Sequence, residues 1–219
     1  MKRFLEMIGD DKRSMLAESG EIRRIRRGET PFLFKADEED AMILLDGFIS
    51  LSRENRLGAS RVVMVCAAGD MLNEEVIAGE PCFCTAAALS DAELLCIGAE
   101  RLRELADKEP DIGRAVFESM TKKCRRLYHQ LGSSQGSYPV RVRIAARLLK
   151  LGRDFGTDTP EGRRIDFRLS ISLLAEMTGT KRETVSRCIS SLKKQGCICV
   201  KDSFMVIKDT DMLKENAGL

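Results

Sequence analysis

The chain has 219 residues, of which 43% are hydrophobic and 32% charged, and its formal net charge is +2. This composition is typical of a folded protein of one or two domains and excludes a disordered chain. It contains no run of about 18 apolar residues, and charges interrupt its first segment, so we expect neither a membrane span nor a secretory signal, and a cytoplasmic location.

The distribution of charge and the cysteine content further limit the classes of protein to which the chain can belong. Residues 139–219 carry 16 Lys and Arg against 10 Asp and Glu, whereas residues 1–138 carry 20 against 24. A basic C-terminal third indicates a polyanion-binding module joined to an acidic body. The eight cysteines are expected to remain thiols, because a cytosolic protein seldom holds disulfides unless they have a redox role.

The N-terminal half contains two different patterns of apolar residues. Residues 2–18 have the spacing of a short amphipathic helix. From residue 21, short apolar runs alternate with glycine-containing turns, which predicts a β-sandwich or small barrel. The predicted strands are residues 22–26, 41–45, 48–52, 61–66, 82–89 and 93–97.

A long helix is predicted next. Residues 99–107 form a short helix, and Pro110 then lies in the first turn of a longer one. The longer helix carries apolar residues at alternating spacings of three and four, with Lys122, Lys123, Arg125 and Arg126 at outer positions. This stripe either packs on the chain's own barrel or forms a dimer interface; its narrowness favours the dimer. Its members are Phe117, Met120, Cys124, Leu127 and Leu131.

A glycine- and serine-rich break at residues 132–139 marks a domain boundary and a candidate hinge. Helical periodicity resumes at residue 140, and a polar loop is predicted over residues 152–162. The predicted domains are therefore a β-barrel sensor at residues 1–109, a dimerisation helix and hinge at 110–138, and a DNA-binding domain at 139–219.

Residues 169–198 have the pattern of a helix-turn-helix. Ser170 or Ser172 can cap the first helix, and Gly179 supplies the tight turn. Thr180 and Glu183 match a capping box for the second helix, which ends at Gly196. Residues 197–200 and 204–207 then form a hairpin wing, with which residues 164–169 could pair.

The second helix exposes polar residues that suit DNA. Arginine matches guanine O6 and N7 in the major groove, and a carboxylate can accept from cytosine N4. The alternative is a solvated charged face, which the turn glycine and the capping pattern make less favourable. The candidate DNA-binding residues are Lys181, Arg182, Glu183, Ser186, Arg187, Lys193 and Lys194.

The chain resembles the Crp/Fnr superfamily of bacterial transcription regulators. Residues 178–198 read TGTKRETVSRCISSLKKQGCI, close to the typical recognition-helix pattern, and Gly47 in LLDGFISLS and Gly69 in AAGD agree in order. The resemblance implies an α+β fold: an N-terminal cyclic-nucleotide-binding-like, cupin-like β-barrel, a long dimerisation helix and a C-terminal winged helix-turn-helix.

The resemblance also implies function. The protein would be a homodimeric, sequence-specific DNA-binding transcription regulator, modulated by an unknown small-molecule or redox effector. Its DNA partner would be double-stranded with inverted-repeat half-sites, and RNA polymerase would be a partner if it is an activator. Arg182, Glu183 and Arg187 would read a DNA half-site such as TGTGA or TTGAT. Ser186 fits the Fnr-like variant of the recognition helix, whereas Arg182 fits the Crp-like variant.

Cyclic AMP is not the expected effector. In cyclic-nucleotide binders of the family, the phosphate pocket resembles Gly-Glu-Leu followed by Arg-Ser-Ala. Here Asn73 replaces the glycine, and Cys84 replaces the arginine that pairs with the phosphate. A buried phosphate without a cation is disfavoured. The predicted effector pocket comprises Asn73, Glu74, Cys84, Thr85, Leu127 and Tyr128.

Other chemistries stay open at this point, and no cofactor is assigned. The barrel cysteines could hold a metal or cluster, or switch by oxidation, but their spacing lacks a C-x-x-C pattern and core packing is preferred. Haem is unsupported, because the one histidine, His129, falls on the long helix. No metal ligands are predicted. The cysteines concerned are Cys66, Cys82, Cys84 and Cys96.

Two rival classes of protein fit the sequence less well. A nucleotide-binding subunit without DNA function would lack the winged helix that residues 164–207 predict. A thiol- or metal-dependent enzyme would need a nucleophile with a base partner, and a chain with one histidine offers little choice of base. The sequence therefore predicts a protein that is not an enzyme.

Overall fold

The computed structural model describes residues 2–55, 58–133 and 138–219, with the backbone alone given for 131–133. The chain divides into two compact units. The first comprises Met1–Arg53 and Val63–Gln135, and the second comprises Glu54–Val62 and Gly136–Leu219. Within the described ranges, no helix is both long and apolar enough to cross a membrane.

The N-terminal segment is not the single helix predicted over residues 2–18. A 3-10 helix, Leu5–Met7, is followed by helix α1, Asp10–Glu18. Ile8 and Gly9 between them have extended backbone, so the chain changes direction there. The interruption buries Phe4 and Ile8 in the core of the first unit, at 1% and 5% exposure.

Among the described residues before α2, six strands form two antiparallel three-stranded sheets, in the orders β1-β6-β2 and β4-β3-β5. Gly47, between β2 and β3, has φ of +89°, and a Cβ there would lie 2.4 Å from the Asp91 carbonyl oxygen, which explains the glycine. The strand predicted over residues 82–89 is shorter in the structure and begins at Thr85. The Cys82 and Phe83 amides donate to acceptors outside the sheet, the Ala36 carbonyl and the Glu75 carboxylate. The strands are β1 (Glu21–Ile25), β2 (Asp40–Asp46), β3 (Phe48–Glu54), β4 (Ser60–Ala67), β5 (Thr85–Ala88) and β6 (Ala92–Gly98).

Two helices follow the strands. Helix α2 is Ala99–Lys108 and α3 is Pro110–Ser133, separated by Glu109 alone. Ile112 and Ala115 of α3 are buried in the core of the first unit. A further 3-10 helix, Glu74–Ala78, lies between β4 and β5. Much of the hinge predicted at residues 132–139 lies outside the described residues and stays a prediction.

In its described residues, the second unit contains four helices and a four-stranded antiparallel sheet of order β7-β8-β10-β9. Its C-terminal helix has no counterpart among the predicted elements; the Asp209 side chain caps it by accepting from the Met212 amide at 2.8 Å. The elements are α4 (Val140–Phe155), β7 (Gly156–Thr159), β8 (Gly162–Ile165), α5 (Ile171–Thr178), α6 (Arg182–Lys194), β9 (Ile198–Lys201), β10 (Phe204–Ile207) and α7 (Thr210–Ala217).

Two sequence predictions for this unit are wrong in detail. The polar loop predicted over residues 152–162 is instead the end of α4 and the β7–β8 hairpin. Gly152 is buried inside α4, where a Cβ would lie 2.6 Å from Ile207 Cδ1, so its role is close packing. The strand expected over residues 164–169 is β8, Gly162–Ile165, which does pair with β10. The α+β fold class with a C-terminal helix-turn-helix is confirmed.

Candidate nucleic-acid interface and effector pocket

Helices α5 and α6 are joined by a turn with defined capping. The Ser170 hydroxyl accepts from the Leu173 amide at 3.0 Å, which selects Ser170 over Ser172 as the cap of α5. Gly179 ends α5 in the left-handed region, with φ of +61°, and the Thr180 amide donates to the Ala175 carbonyl at 3.1 Å. The two helices therefore form the predicted helix-turn-helix.

The capping box predicted for α6 is wrong. Lys181 occupies the N-cap position, and its side chain makes no capping hydrogen bond. Thr180 lies one residue before the cap, so its spacing to Glu183 is out of register for a capping box. Glu183 instead stands in the first helical turn, where a carboxylate interacts favourably with the helix dipole.

One face of α6 is buried and the opposite face is exposed. Val185, Ile189 and Leu192 are 0–3% exposed and attach the helix to the unit. All seven candidate DNA-binding side chains lie on the exposed surface: Lys181, Arg182, Glu183, Ser186, Arg187, Lys193 and Lys194.

The cations of α6 are available to a ligand. Within the described chain, the residues that make no hydrogen bond or ion pair through their side chains include Arg182, Arg187, Lys193 and Lys194. Arg182 and Arg187 lie in the first turn and a half, and the two lysines lie in the last turn. The helix thus presents guanidinium groups near its N-terminal end and ammonium groups near its C-terminal end.

The wing is a tight hairpin. Strands β9 and β10 pair with Phe204 opposite Lys201, so Asp202 and Ser203 alone form the turn. Both have positive φ, +49° and +69°, as a two-residue hairpin turn of the primed type requires. Lys201 forms an ion pair with Glu161 of the β7–β8 hairpin, which ties the two hairpins together.

The apolar stripe of α3 is exposed rather than packed on the chain's own strands. Phe117, Met120 and Leu127 are 71%, 40% and 39% exposed, and Cys124 is also exposed. The Leu131 side chain lies outside the described residues. Large apolar side chains aligned along one exposed helix face are typical of an interaction surface.

In the predicted effector pocket, Asn73 has a structural role. Its side chain is fully buried; Oδ1 accepts from the Met42 amide at 2.8 Å and Nδ2 donates to the Asp40 carbonyl at 2.9 Å. These bonds hold β2 against the 3-10 helix that follows Asn73. A glycine at this position would allow close approach of a ligand, whereas Asn73 fills the space and uses its polar atoms internally.

Glu74 is also fully engaged. Its side chain is 2% exposed; Oε1 accepts from the Ser119 hydroxyl at 2.5 Å, and Oε2 pairs with the Lys123 ammonium. Lys123 also donates to the Leu72 carbonyl at 3.0 Å. Burial by itself lowers the pKa of Lys123, but the Glu74 carboxylate raises it above the ordinary 10.5. The heptad pattern placed Lys123 outside, and this is wrong: Lys123 faces inward.

The remaining pocket residues lack a cation for a phosphate. Cys84 is half-buried, and Thr85 Oγ1 accepts from the Phe34 amide at 3.0 Å. Burial raises the pKa of the Cys84 thiol, and the nearby buried Glu75 carboxylate, which accepts from the Phe83 amide at 2.7 Å, raises it further. Leu127 and Tyr128 stand on the exposed surface of α3, and Tyr128 is 73% exposed.

The barrel cysteines are protonated thiols. Burial raises the pKa of Cys66 to about 12 and of Cys82 to about 11, and it also raises the pKa of Cys84 and Cys96. The thiolate is the form that binds metals and reacts with oxidants, so these environments disfavour both roles. In the part of the chain that the structure describes, no three His, Cys, Asp or Glu side chains are grouped to hold a metal. Packing is the role that their burial supports.

These two units define a class of protein: a two-sheet barrel extended by a long helix, combined with a winged helix-turn-helix. Comparison with known families agrees. Residues 22–109 match the cyclic nucleotide-binding domain and residues 142–216 match the Crp-like helix-turn-helix domain. The chain belongs to the Crp/Fnr superfamily of transcription regulators and carries its DNA-binding domain.

Relatives and solved structures share this architecture. The chain is 22% identical over 192 residues to the CRP-like cAMP-activated global transcriptional regulator of Mycobacterium tuberculosis, covering 87% of this chain and 85% of that one. It is 26% identical over 182 residues to the global nitrogen regulator of Synechocystis, covering 82% and 80%. A CRP-family transcriptional regulator from Thermus thermophilus superposes with a TM-score of 0.78 at 22% identity, over 90% and 97% of the two chains.

Proposed function

We propose that the protein is a homodimeric, sequence-specific transcription regulator that reads an inverted repeat with α6 and responds to an effector other than cyclic AMP. The exposed and unpaired Arg182 and Arg187, at the N-terminal end of a helix anchored by Val185 and Ile189, are the observation that carries the proposal. In this proposal the sensor, dimerisation and DNA-binding regions are residues 1–109, 110–138 and 139–219. RNA polymerase is a further partner if the regulator activates transcription.

DNA reading in this proposal divides α6 into two parts. Arg182, Glu183, Ser186 and Arg187 contact base edges in a half-site such as TGTGA or TTGAT. Lys193 and Lys194, at the other end, contact phosphates, which fix position without reading sequence. Lys181, at the N-cap, would add positive charge at the base-reading end.

Dimerisation in this proposal uses the exposed stripe of α3. Phe117, Met120, Cys124 and Leu127 recur at heptad spacing, and 40% or more of the Met120 and Phe117 side chains is accessible in the isolated chain. Pairing of two such stripes would bury them against each other. Two copies would then present two α6 helices to successive major grooves, about 34 Å apart.

Leu127→Glu should convert the dimer into monomers, because it places two carboxylates in an apolar interface. Analytical ultracentrifugation would give the assembly state, and selection from a random pool of duplexes would show whether an inverted repeat is enriched by the original protein and lost by the variant. Ile22→Glu is the matched control, since Ile22 is 62% exposed on β1 and is not part of the α3 stripe. A Leu127→Glu protein that sediments as a dimer would remove this stripe from the proposal.

The pocket chemistry argues against cyclic AMP. The Mycobacterium tuberculosis relative is described as cAMP-activated, but the two chains are too distant for that property to be transferred. Both oxygens of Glu74 already accept from Ser119 or Lys123, and its side chain is 2% exposed, so a ribose hydroxyl would have to share or displace these bonds. Cys84 supplies no positive charge to a phosphate, and the buried Glu75 adds a negative one.

Calorimetric titration should therefore detect no cyclic AMP binding in the micromolar range. The same preparation should bind operator DNA, which shows that the protein is folded and active. Saturable micromolar binding of cyclic AMP would mean that another cation, such as Arg53, supplies the charge and that the assigned pocket is wrong.

A further inference from the structure

The first unit contains a cleft that is separate from Asn73, Cys84 and Thr85. Its volume is about 320 Å³, including the part open to solvent. The N-terminal segment, β4 and the inner face of α3 form its walls. The lining residues are Lys2, Arg3, Phe4, Met7, Met64, Cys66, Asp70, Ser119, Lys122, Lys123 and Arg126.

The walls of this cleft are strongly cationic. Five Lys or Arg side chains line it, against the single carboxylate of Asp70. That carboxylate is already used, because it accepts from the Ala67 amide at 3.0 Å and lies 3.7 Å from Arg3 Nε. Lys122 pairs with Glu118 at 3.2 Å, and Lys123 pairs with Glu74. Internal pairs therefore account for three of the five cations.

Arg126 and Lys2 are the two cations left over. Neither makes a hydrogen bond or an ion pair through its side chain with any residue in the described part of the chain. Lys2 is exposed, but Arg126 is half-buried. The planar donors of the Arg126 guanidinium match a carboxylate or phosphate in two parallel bonds.

The floor of the cleft is apolar. Phe4, Met64 and Cys66 are 1%, 8% and 0% exposed. The Cys66 thiol is protonated, as its raised pKa shows, and adds no charge. These buried side chains offer a ligand little apolar contact, so the site suits a small anion that is held by its charge.

From this arrangement we infer that the cleft binds a small anion, with its carboxylate or phosphate on Arg126 and Lys2. The role of this ligand as the effector of the regulator rests on the proposed function. Its site lies on α3, one residue from Leu127 of the exposed stripe, so occupancy would fix α3 against the barrel.

The test is calorimetric titration of the full-length protein, without DNA, with succinate and with inorganic phosphate. We expect at least one probe to bind saturably with a Kd below about 1 mM, and Arg126→Ala to weaken it by roughly 10- to 100-fold, the usual range for a hydrogen bond to a charged group. Arg126→Lys should weaken binding of the probe less than Arg126→Ala does, because lysine keeps the positive charge. Arg114→Ala is the matched control, because Arg114 is an exposed arginine of α3 outside the cleft.

Three results would overturn the inference. Neither probe binds; or Arg126→Ala and Arg114→Ala weaken binding equally; or Arg126→Ala leaves probe binding unchanged and instead weakens self-association, which would make the anion a carboxylate of a second copy. The titration contains no DNA, so its failure would leave DNA recognition by α6 intact. Loss of DNA recognition would likewise leave probe binding unaffected.

Discussion

Lys123→Met should lower the free energy of unfolding of the first unit by about 3–5 kcal/mol, the usual cost of removing one partner of a buried ion pair. The substitution leaves the Glu74 carboxylate, 2% exposed, with Ser119 as its remaining side-chain partner. Urea denaturation followed by circular dichroism would measure the loss. Lys108→Met is the matched control, because Lys108 is exposed in the last turn of α2.

The pH dependence of this effect has a defined sign. The pKa of Lys123 is raised in the folded protein, so its stabilising contribution is complete below the ordinary lysine value of 10.5 and is lost as the pH rises through the higher folded value. The difference between the original protein and Lys123→Met should therefore persist across neutral pH. The double variant Lys123→Met/Glu74→Gln should recover much of the loss, since it removes the stranded charge. A loss no greater than that of Lys108→Met would contradict the assignment.

Arg187→Ala should weaken binding to a matched inverted repeat by about 1–3 kcal/mol per half-site and relax the preference at one position. The physical reason is the loss of two parallel hydrogen bonds to a guanine edge. Competition binding on matched and scrambled operators, by fluorescence anisotropy, would measure both effects.

Lys193→Ala and Lys194→Ala supply the contrast for that experiment. Loss of a phosphate contact should weaken all sequences alike and lower the slope of log K against log salt by about one for each contact. Equal weakening of matched and scrambled operators by Arg187→Ala would make Arg187 a backbone contact and contradict the docking assigned to α6.

Local patterns are sufficient to predict most of the elements. Alternating apolar residues predict the strands of the barrel within a few residues, and Gly179 with Ser170 predicts the turn between α5 and α6. The register of the α6 cap is not accessible in the same way, because Thr180 and Lys181 both stand next to the start of the helix, and only the structure shows that Lys181 is the N-cap. The sequence places Gly152 in a loop because it does not show that Ile207 packs against this glycine.

The candidate sites are unevenly predictable. Exposure of the α6 side chains follows from helical periodicity alone, so the sequence is enough to identify those residues. Periodicity also defines the apolar stripe of α3, but it does not show which of its polar residues turn toward the barrel. The heptad pattern assigns both Lys123 and Arg126 to the outside, and only the packing of α3 against β4 and the N-terminal segment shows that they face inward.

The contacts of Glu74 also fix the rotational setting of α3. Ser119 and Lys123 are four residues apart, one helical turn, and both bind the same carboxylate. Slipping the helix by one residue would rotate it by about 100° and separate both from Glu74. The same rotation would carry Met120 and Leu127 off the outward side. A single buried acid thus sets the angle at which a helix of 24 residues presents its apolar edge.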